Sequence, residues 1–274
     1  MSNFEYIVYS LTTRCNLDCI GCFRIGSGLS DTTPDTFLEI LPILKRLGCK
    51  YLNLSGGEPL LNRYCNDLIS LCKEFGIEPL LSTNGMLINN LENEMLKKLK
   101  VLAIPLDGPN AFINDKIRGS GHFAKVNSLI SEYKTGDYPF VLKVNTVVST
   151  INYFYLPLIL QFFSEDSRVV WKLFQISPRG NFNRLQKTGT ISNSEFLSIV
   201  SKLKENKAIK CRINYLCAND AHKYIIIDPE GNFYIPKGQN YSFIGNFREK
   251  DLVKRIINRN TSGNSFHKVV LGES

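Results

Sequence analysis

Three thiols stand four and then three residues apart in Cys15-Asn16-Leu17-Asp18-Cys19-Ile20-Gly21-Cys22-Phe23. A loop this short brings three thiolates onto one inorganic centre from a single turn of chain. Iron–sulfur clusters are held by cysteine thiolates. A 4Fe–4S cube has one more iron than this loop has sulfurs, so one iron is left open to a ligand that is not protein. That makes the centre catalytic in character, not a sealed electron carrier. The competing reading is a zinc loop. Structural zinc usually takes a fourth Cys or His from a second paired motif, and no fourth Cys follows nearby. Cys49, Cys65, Cys72, Cys211 and Cys217 are scattered along the chain and read as small buried hydrophobes.

The elements that must position this loop follow from the apolar pattern. Residues 5–11 form a first strand that runs through Thr12-Thr13-Arg14 into the cysteines. Ser30 to Pro34 carry capping residues and then a proline. Phe37, Ile40, Leu41, Leu44 and Leu47 follow at helical spacing up to Gly48. Tyr51 to Leu54 form a second strand, closed by Ser55-Gly56-Gly57-Glu58-Pro59. The alternation continues with a helix over 62–75, a strand over 79–82 ending in Thr83-Asn84-Gly85, and a helix near 90–98. A strand over 101–106 ending in Asp107-Gly108, a helix over 122–134 and a strand over 140–148 come next. A helix over 152–164, kinked at Pro157, leads to a strand over 169–175. Six βα units imply a parallel sheet with crossover helices, and functional loops gather at the carboxyl ends of such strands. The cysteine loop, the Gly-Gly-Glu-Pro stretch, Thr83-Asn84 and Asp107 all fall on that edge.

Beyond Gln175 the pattern changes. A Gly/Asn/Arg-rich loop over 176–190 precedes a helix over 191–206 opened by Ser192 or Asn193. Two apolar runs flank Pro229-Glu230-Gly231 as a hairpin, and a short basic helix lies near 248–259. The expected division is a partial barrel over residues 1–175 and a C-terminal extension over 176–274 that covers the active site.

The chain has 274 residues, 43% of them hydrophobic, enough for a substantial core. No apolar run reaches the length of a membrane span, and the first residues carry no signal-type block. The expectation is therefore a cytoplasmic protein with reduced thiols, with no membrane and no direct nucleic-acid partner. A formal charge of +8 is dispersed, and suits a pocket for a phosphorylated small molecule as well as a polyanion-binding face. His122, His222 and His267 are isolated, and Trp171 reads as barrel packing.

The cysteine triplet followed by Gly56-Gly57-Glu58-Pro59 after the second strand resembles the radical S-adenosylmethionine (SAM) superfamily, over roughly residues 5–175. The resemblance implies an α/β fold, a partial (β/α)6 TIM barrel with a C-terminal extension containing a β-hairpin. It also implies a 4Fe–4S cluster, SAM as cofactor, and an electron donor such as flavodoxin or ferredoxin. Carried over residue by residue, it makes Cys15, Cys19 and Cys22 cluster ligands and places Phe23 by the adenine. Gly56, Gly57 and Glu58 would meet the methionyl amine, and Thr83 and Asn84 would contact SAM. Arg118 would pair with the methionyl carboxylate, and Asp107 and Asn145 would lie near the SAM ribose.

Leu142-Lys143-Val144-Asn145, Trp171-Lys172-Leu173-Phe174-Gln175, Ile191 to Phe196 and Tyr224 to Gly231 further resemble the SAM-dependent nucleotide dehydratases, the family of viperin and its prokaryotic relatives. That likeness implies dehydration of a ribonucleoside triphosphate to its 3′-deoxy-3′,4′-didehydro form, an antiviral chain terminator. Lys143 and Lys172 would hold the triphosphate, with Arg179 a further candidate by position, and Tyr224 would be the catalytic proton or hydrogen donor. For the two lysines solvated charge at strand ends is the alternative, and Tyr224 suits core packing as well as catalysis. Three polar positions of that family are Val8, Tyr51 and Val170 here. Either Arg14, Arg24, Lys50 or Arg179 stands in for them, or the substrate differs: another phosphorylated metabolite or a peptide.

Overall fold

A short, almost wholly apolar run buried on both faces forms β1 (Tyr6–Ser10), around which the sheet grows in both directions. The computed structural model describes residues 4–20, 22, 28–176, 189–218, 224–237, 240–258 and 270. Phe23, Arg24, Arg179, His222 and His267 lie outside the described residues. From β1 the chain adds β2 (Tyr51–Ser55), β3 (Glu78–Ser82), β4 (Val101–Pro105), β5 (Val141–Val148) and β6 (Val169–Gln175), each parallel to its predecessor. The intervening helices are α1 (Pro34–Arg46), α2 (Cys65–Glu74), α3 (Asn93–Lys98), α4 (Ala111–Arg118), α5 (His122–Thr135) and α6 (Leu156–Leu160).

The later strands extend the same sheet at both ends. β7 (Arg212–Leu216) pairs parallel with β6, and β8 (Ile225–Ile227) pairs parallel with β1. β9 (Asn232–Lys237) and β10 (Asn240–Asn246) follow antiparallel beyond β8. The strand order is β10-β9-β8-β1-β2-β3-β4-β5-β6-β7, so β7 and β10 are open ends and the barrel is partial. α7 (Asn193–Glu205) and α8 (Leu252–Asn258) complete the helices. Among the described residues no helix is long and apolar enough to cross a membrane.

Local chemistry explains most boundaries. Thr33 accepts from the Thr36 N–H and Pro34 opens α1, where its missing donor costs nothing. Ser192 and Glu195 close a reciprocal capping box on α7. The expected helix over 152–164 is instead a 3₁₀ turn at Tyr153–Tyr155 and the five-residue α6, with Pro157 in its first turn. The proline therefore starts a short helix and does not kink a long one. α4 was not expected. Only eight residues long, it shows too little apolar period, although Asn110 caps it by accepting from the Ile113 N–H. β7 and β10 also went unseen; β7, at the open end of the sheet, is only partly buried.

The two faces of the sheet differ. Outward residues such as Leu142, Val144, Trp171 and Leu173 pack under the helices in the main core. The inner face has a lower apolar layer of Tyr6, Leu80, Val101, Val170 and Val270, with Val8, Tyr51, Val141 and Tyr224 packed against it.

Candidate active site

The segment leading into the cysteine loop is clamped by the two glycines. The Gly57 N–H donates to the Thr12 carbonyl and the Glu58 N–H to the Arg14 carbonyl, each at 2.8 Å. A Cβ on Gly57 would stand 2.0 Å from the Arg14 oxygen, and one on Gly56 would stand 2.4 Å from the Thr12 oxygen. Gly56 also has φ +138°, a conformation L residues rarely adopt. Only glycine lets these backbones lie so close, so the pair holds Thr12–Arg14 in place. Gly57→Ala is expected to lower the urea midpoint by the equivalent of about 2 kcal/mol or more, since a new methyl would meet backbone and not a movable side chain. An unchanged midpoint would contradict this account of the clamp.

Glu58 is fully buried. Its Oε1 accepts from the Leu60 N–H at 3.1 Å and the Thr83 hydroxyl at 2.6 Å, and its Oε2 accepts from the Asn84 N–H at 2.7 Å. Burial pushes its pKa up, while these three donors oppose the shift. The carboxylate thus ties the loop after β2 to the loop after β3. Asn84 spans onward, its Nδ2 donating to Asn16 Oδ1 at 2.7 Å and lying 3.9 Å from Cys15 Sγ. His122, also fully buried, holds the Asn84 carbonyl through Nε2 at 3.1 Å and meets Asn114 Nδ2 through Nδ1 at 2.9 Å. These partners assign the proton to Nε2, and burial pulls the ring pKa down to about 4, keeping it neutral.

Buried Asp107 forms an ion pair with the partly buried Arg118. Asp107 Oδ1 also accepts from the Val147 N–H at 2.7 Å, and its carbonyl accepts from Asn152 Nδ2 at 3.0 Å. The Cys19 thiol donates to the Arg118 carbonyl at 3.7 Å, and the Ile20 N–H donates to the Ile117 carbonyl at 2.9 Å. The end of α4 is therefore the seat of the cysteine loop. Arg118, expected at the methionyl carboxylate, is already engaged by Asp107, and Asp107 has both oxygens in use.

Cys15, Cys19 and Cys22 are each half-exposed and unoxidised. Burial raises the thiol pKa of Cys15, against the Leu17 N–H 3.5 Å from its sulfur and with the charges of Cys19, Glu58 and Cys22. Burial also raises Cys19, against Arg118. The three sulfurs therefore sense one another. Yet no three His, Cys, Asp or Glu side chains among the described residues are grouped to hold a single metal ion. By contrast Cys49, Cys65, Cys72 and Cys211 are buried, and burial pushes Cys49, Cys65 and Cys211 up to about 12 and Cys72 well above the ordinary range.

On the inner face, strand register sets the polar residues in rows. Pro105, Asn145, Lys172 and Asn214 share one row, and Ala103, Lys143 and Val170 share the row below. Lys143 and Lys172 are both buried. Among the described residues no carboxylate pairs with Lys143, whose pKa is pulled down to about 7 by burial and then by Lys172. Tyr224 stands level with Tyr6 at the amino end of β1, ring against ring at 5.8 Å and 89°. Val8, Tyr51 and Val170 belong to the same apolar cluster as Tyr224. Of the four suggested stand-ins, Arg14 pairs with Asp31 and the Leu61 carbonyl, and Lys50 with Glu5, neither facing this row.

A family model for the radical SAM superfamily matches residues 9–153. The chain belongs to that superfamily. It is 28% identical over 265 residues to a protein of Flammeovirga pacifica named S-adenosylmethionine-dependent nucleotide dehydratase, covering 90% of this chain and 87% of that one. It is also 28% identical over 222 residues to an AdoMet-dependent heme synthase of Methanosarcina barkeri, covering 77% of this chain and 61% of that protein's length. Streptococcus suis SuiB, solved with its precursor peptide SuiA, superposes with a TM-score of 0.76 at 17% identity, over 92% of this chain and 64% of SuiB.

Radical SAM enzymes use a 4Fe–4S cluster and SAM, and the residues present fit both. Donors from Leu17 and Asn84 reach Cys15 sulfur, and Arg118 lies beside Cys19, so each of these two sulfurs has a donor or a cation that opposes the effect of burial. At the same strand edge Asn145 Oδ1 is buried with no donor, which suits a ribose hydroxyl. The supports that the sequence reading missed are Asn16, Asn114, Asn152 and His122. Each is a polar residue whose importance depends on a partner far away in sequence; the pairing of Asn110 with Ile113 was the one local signal near them.

Proposed function

We propose that this radical SAM enzyme dehydrates a ribonucleoside triphosphate (CTP, UTP or GTP) to the 3′-deoxy-3′,4′-didehydro nucleotide, a chain terminator serving antiviral defence. The observation that carries the reading is the pair Lys143 and Lys172, buried on adjacent strands with their side chains on the inner face, in a chain that resembles a named nucleotide dehydratase over 90% of its length. A triphosphate carries roughly four negative charges near neutral pH and needs fixed cations where water is excluded.

A cluster held by Cys15, Cys19 and Cys22, with SAM bound beside it, would supply the radical chemistry needed to remove the hydrogen at C4′ of the substrate. Loss of the 3′-hydroxyl as water, with one electron and one proton added, completes a balanced dehydration, and a flavodoxin or ferredoxin is the class of protein that supplies electrons. The chain's part is positional. Cys15, Cys19 and Cys22 hold the cluster. Gly56, Gly57, Glu58, Thr83, Asn84 and the Asp107–Arg118 pair hold the loop and shape the SAM cleft. Lys143 and Lys172 hold the phosphates. Tyr224, on the floor of the inner face, is the hydroxyl assigned to return the proton. Phe23 and Arg179 keep their sequence assignments, adenine and triphosphate.

One observation favours a second reading. Val8, Tyr51 and Val170 make the floor apolar, which suits a different phosphorylated metabolite with a less polar far end. Anaerobically reconstituted enzyme with SAM, reductant and each of CTP, UTP, GTP and ATP separates the two. The expected result is 5′-deoxyadenosine together with a nucleotide lighter by one water, read by mass spectrometry. SAM cleavage without any such product from all four would favour the second.

A further inference from the structure

Asn214 lies on β7 in register with Lys172, which itself aligns with Asn145 on β5. Its neighbour Ile213 packs against the main core under the helices, so alternation turns Asn214 to the inner face. Its Oδ1 accepts from the Tyr215 N–H at 2.8 Å. That contact fixes which end of the amide is which, since the flipped group would set two N–H donors against each other. Nδ2 is left pointing away from the backbone, buried and without an acceptor. An unsatisfied buried donor costs about 1–3 kcal/mol, and nothing in the packing of β7 requires it. One strand spacing away, about 4.8 Å, stands the ammonium-bearing Lys172.

We infer that Asn214 is a further substrate-binding residue, whose Nδ2 donates to an oxygen of the substrate's phosphate chain beside Lys172. The inference rests on the phosphorylated substrate proposed above but adds a residue from the C-terminal extension to its binding. Lys172 and Asn214 then stand level on β6 and β7 as donors, with Lys143 on β5 one row below. Phosphate oxygens accept from all three and donate to none. The Asn214 amide, unlike the lysines, cannot change charge, so it selects for geometry and not for total charge.

Isothermal titration of the reconstituted holoenzyme with inorganic tripolyphosphate and with the four nucleotides tests this. Asn214→Asp keeps the acceptor that Tyr215 uses and replaces the donor with a negative oxygen. It is expected to weaken tripolyphosphate binding by at least about 30-fold, and Asn214→Ala by about 10-fold, the loss typical of a hydrogen bond to a charged group. Asn214→Asp should not lower Tm by more than about 2 °C, because Nδ2 has no partner to lose in the free protein and the acceptor for the Tyr215 N–H is kept. Unchanged tripolyphosphate affinity in Asn214→Asp would overturn the inference, as would a fall of Tm beyond about 5 °C in both variants, which would assign the amide to strand packing. If no nucleotide is converted but tripolyphosphate binding still depends on Asn214, the phosphate site stands and the dehydratase reading falls. If nucleotides are dehydrated and bind Asn214→Asp as tightly as the parent, the reverse holds.

Discussion

Cys15→Ala, Cys19→Ala and Cys22→Ala, purified without oxygen, are each expected to lose most of the about four irons that one cluster holds, and with them all 5′-deoxyadenosine formation. The three sulfurs are spread across one loop, and no other His, Cys, Asp or Glu among the described residues joins them as a group that could replace a missing ligand. The loop itself should survive. It is held by the Gly57 and Glu58 amides, by Asn84 on Asn16 and by Ile20 on Ile117, none of which needs the thiols. Loss of iron with an unchanged far-ultraviolet spectrum is therefore the signature of ligand removal and not of unfolding. The control is Cys72→Ala. That thiol is wholly buried and burial pushes its pKa far up, so it stays protonated and cannot serve iron. Its removal is expected to cost about 1–2 kcal/mol of stability for the small void while leaving iron content whole. Full iron retention in Cys19→Ala, or zinc in place of iron in the parent protein, would remove the cluster assignment.

Legibility in the sequence tracked how local the cause was. Six parallel strands and their order could be read because each carries its own apolar run, and the capping residues before Pro34 and the pair Ser192 and Asn193 marked the starts of their helices. The cysteine triplet and the glycine pair were visible as motifs for the same reason, since each lies within a few residues, but the contact of Gly56 and Gly57 with Thr12 and Arg14 was not. What the sequence hid depends on partners distant along the chain. Arg118 offers a free cation in sequence, yet Asp107, eleven residues away, engages it. Glu58 reads as a ligand contact, yet its oxygens are taken up by Leu60, Thr83 and Asn84. Tyr224 reads equally as catalyst or core in sequence, and its place beside Tyr6 comes only from the parallel register of β8 with β1. Asn214 gave no signal, because β7 is a partly buried strand at the open end of the sheet, and only the pairing with Lys172 gives it meaning.

That pairing of register with charge makes Lys143 the position where substitution and pH should act together. In the free protein its pKa is pulled to about 7 by burial and by Lys172. An unfolded lysine titrates near about 10.4, so between these values the unfolded chain binds more protons than the folded one. Stability of the ligand-free protein should therefore rise with pH across that window. Nucleotide binding should run the other way. Four phosphate charges favour the ammonium form, so binding above about pH 7 must take up a proton, and the KM for the triphosphate should climb by up to about tenfold per pH unit between 7 and 9. Lys143→Met removes the titrating group and keeps the apolar stem. It is expected to flatten both slopes, to leave the ligand-free protein at least as stable, and to raise KM by about 30-fold or more, the cost of leaving buried phosphate charge without its cation. Urea midpoints and initial rates of parent and variant, measured from pH 6.5 to 9, read all three effects. A variant that keeps the parent's KM slope would show that the titrating group lies elsewhere. Lys172 would then be the first position to substitute, because it is the neighbour whose charge the Lys143 ammonium feels.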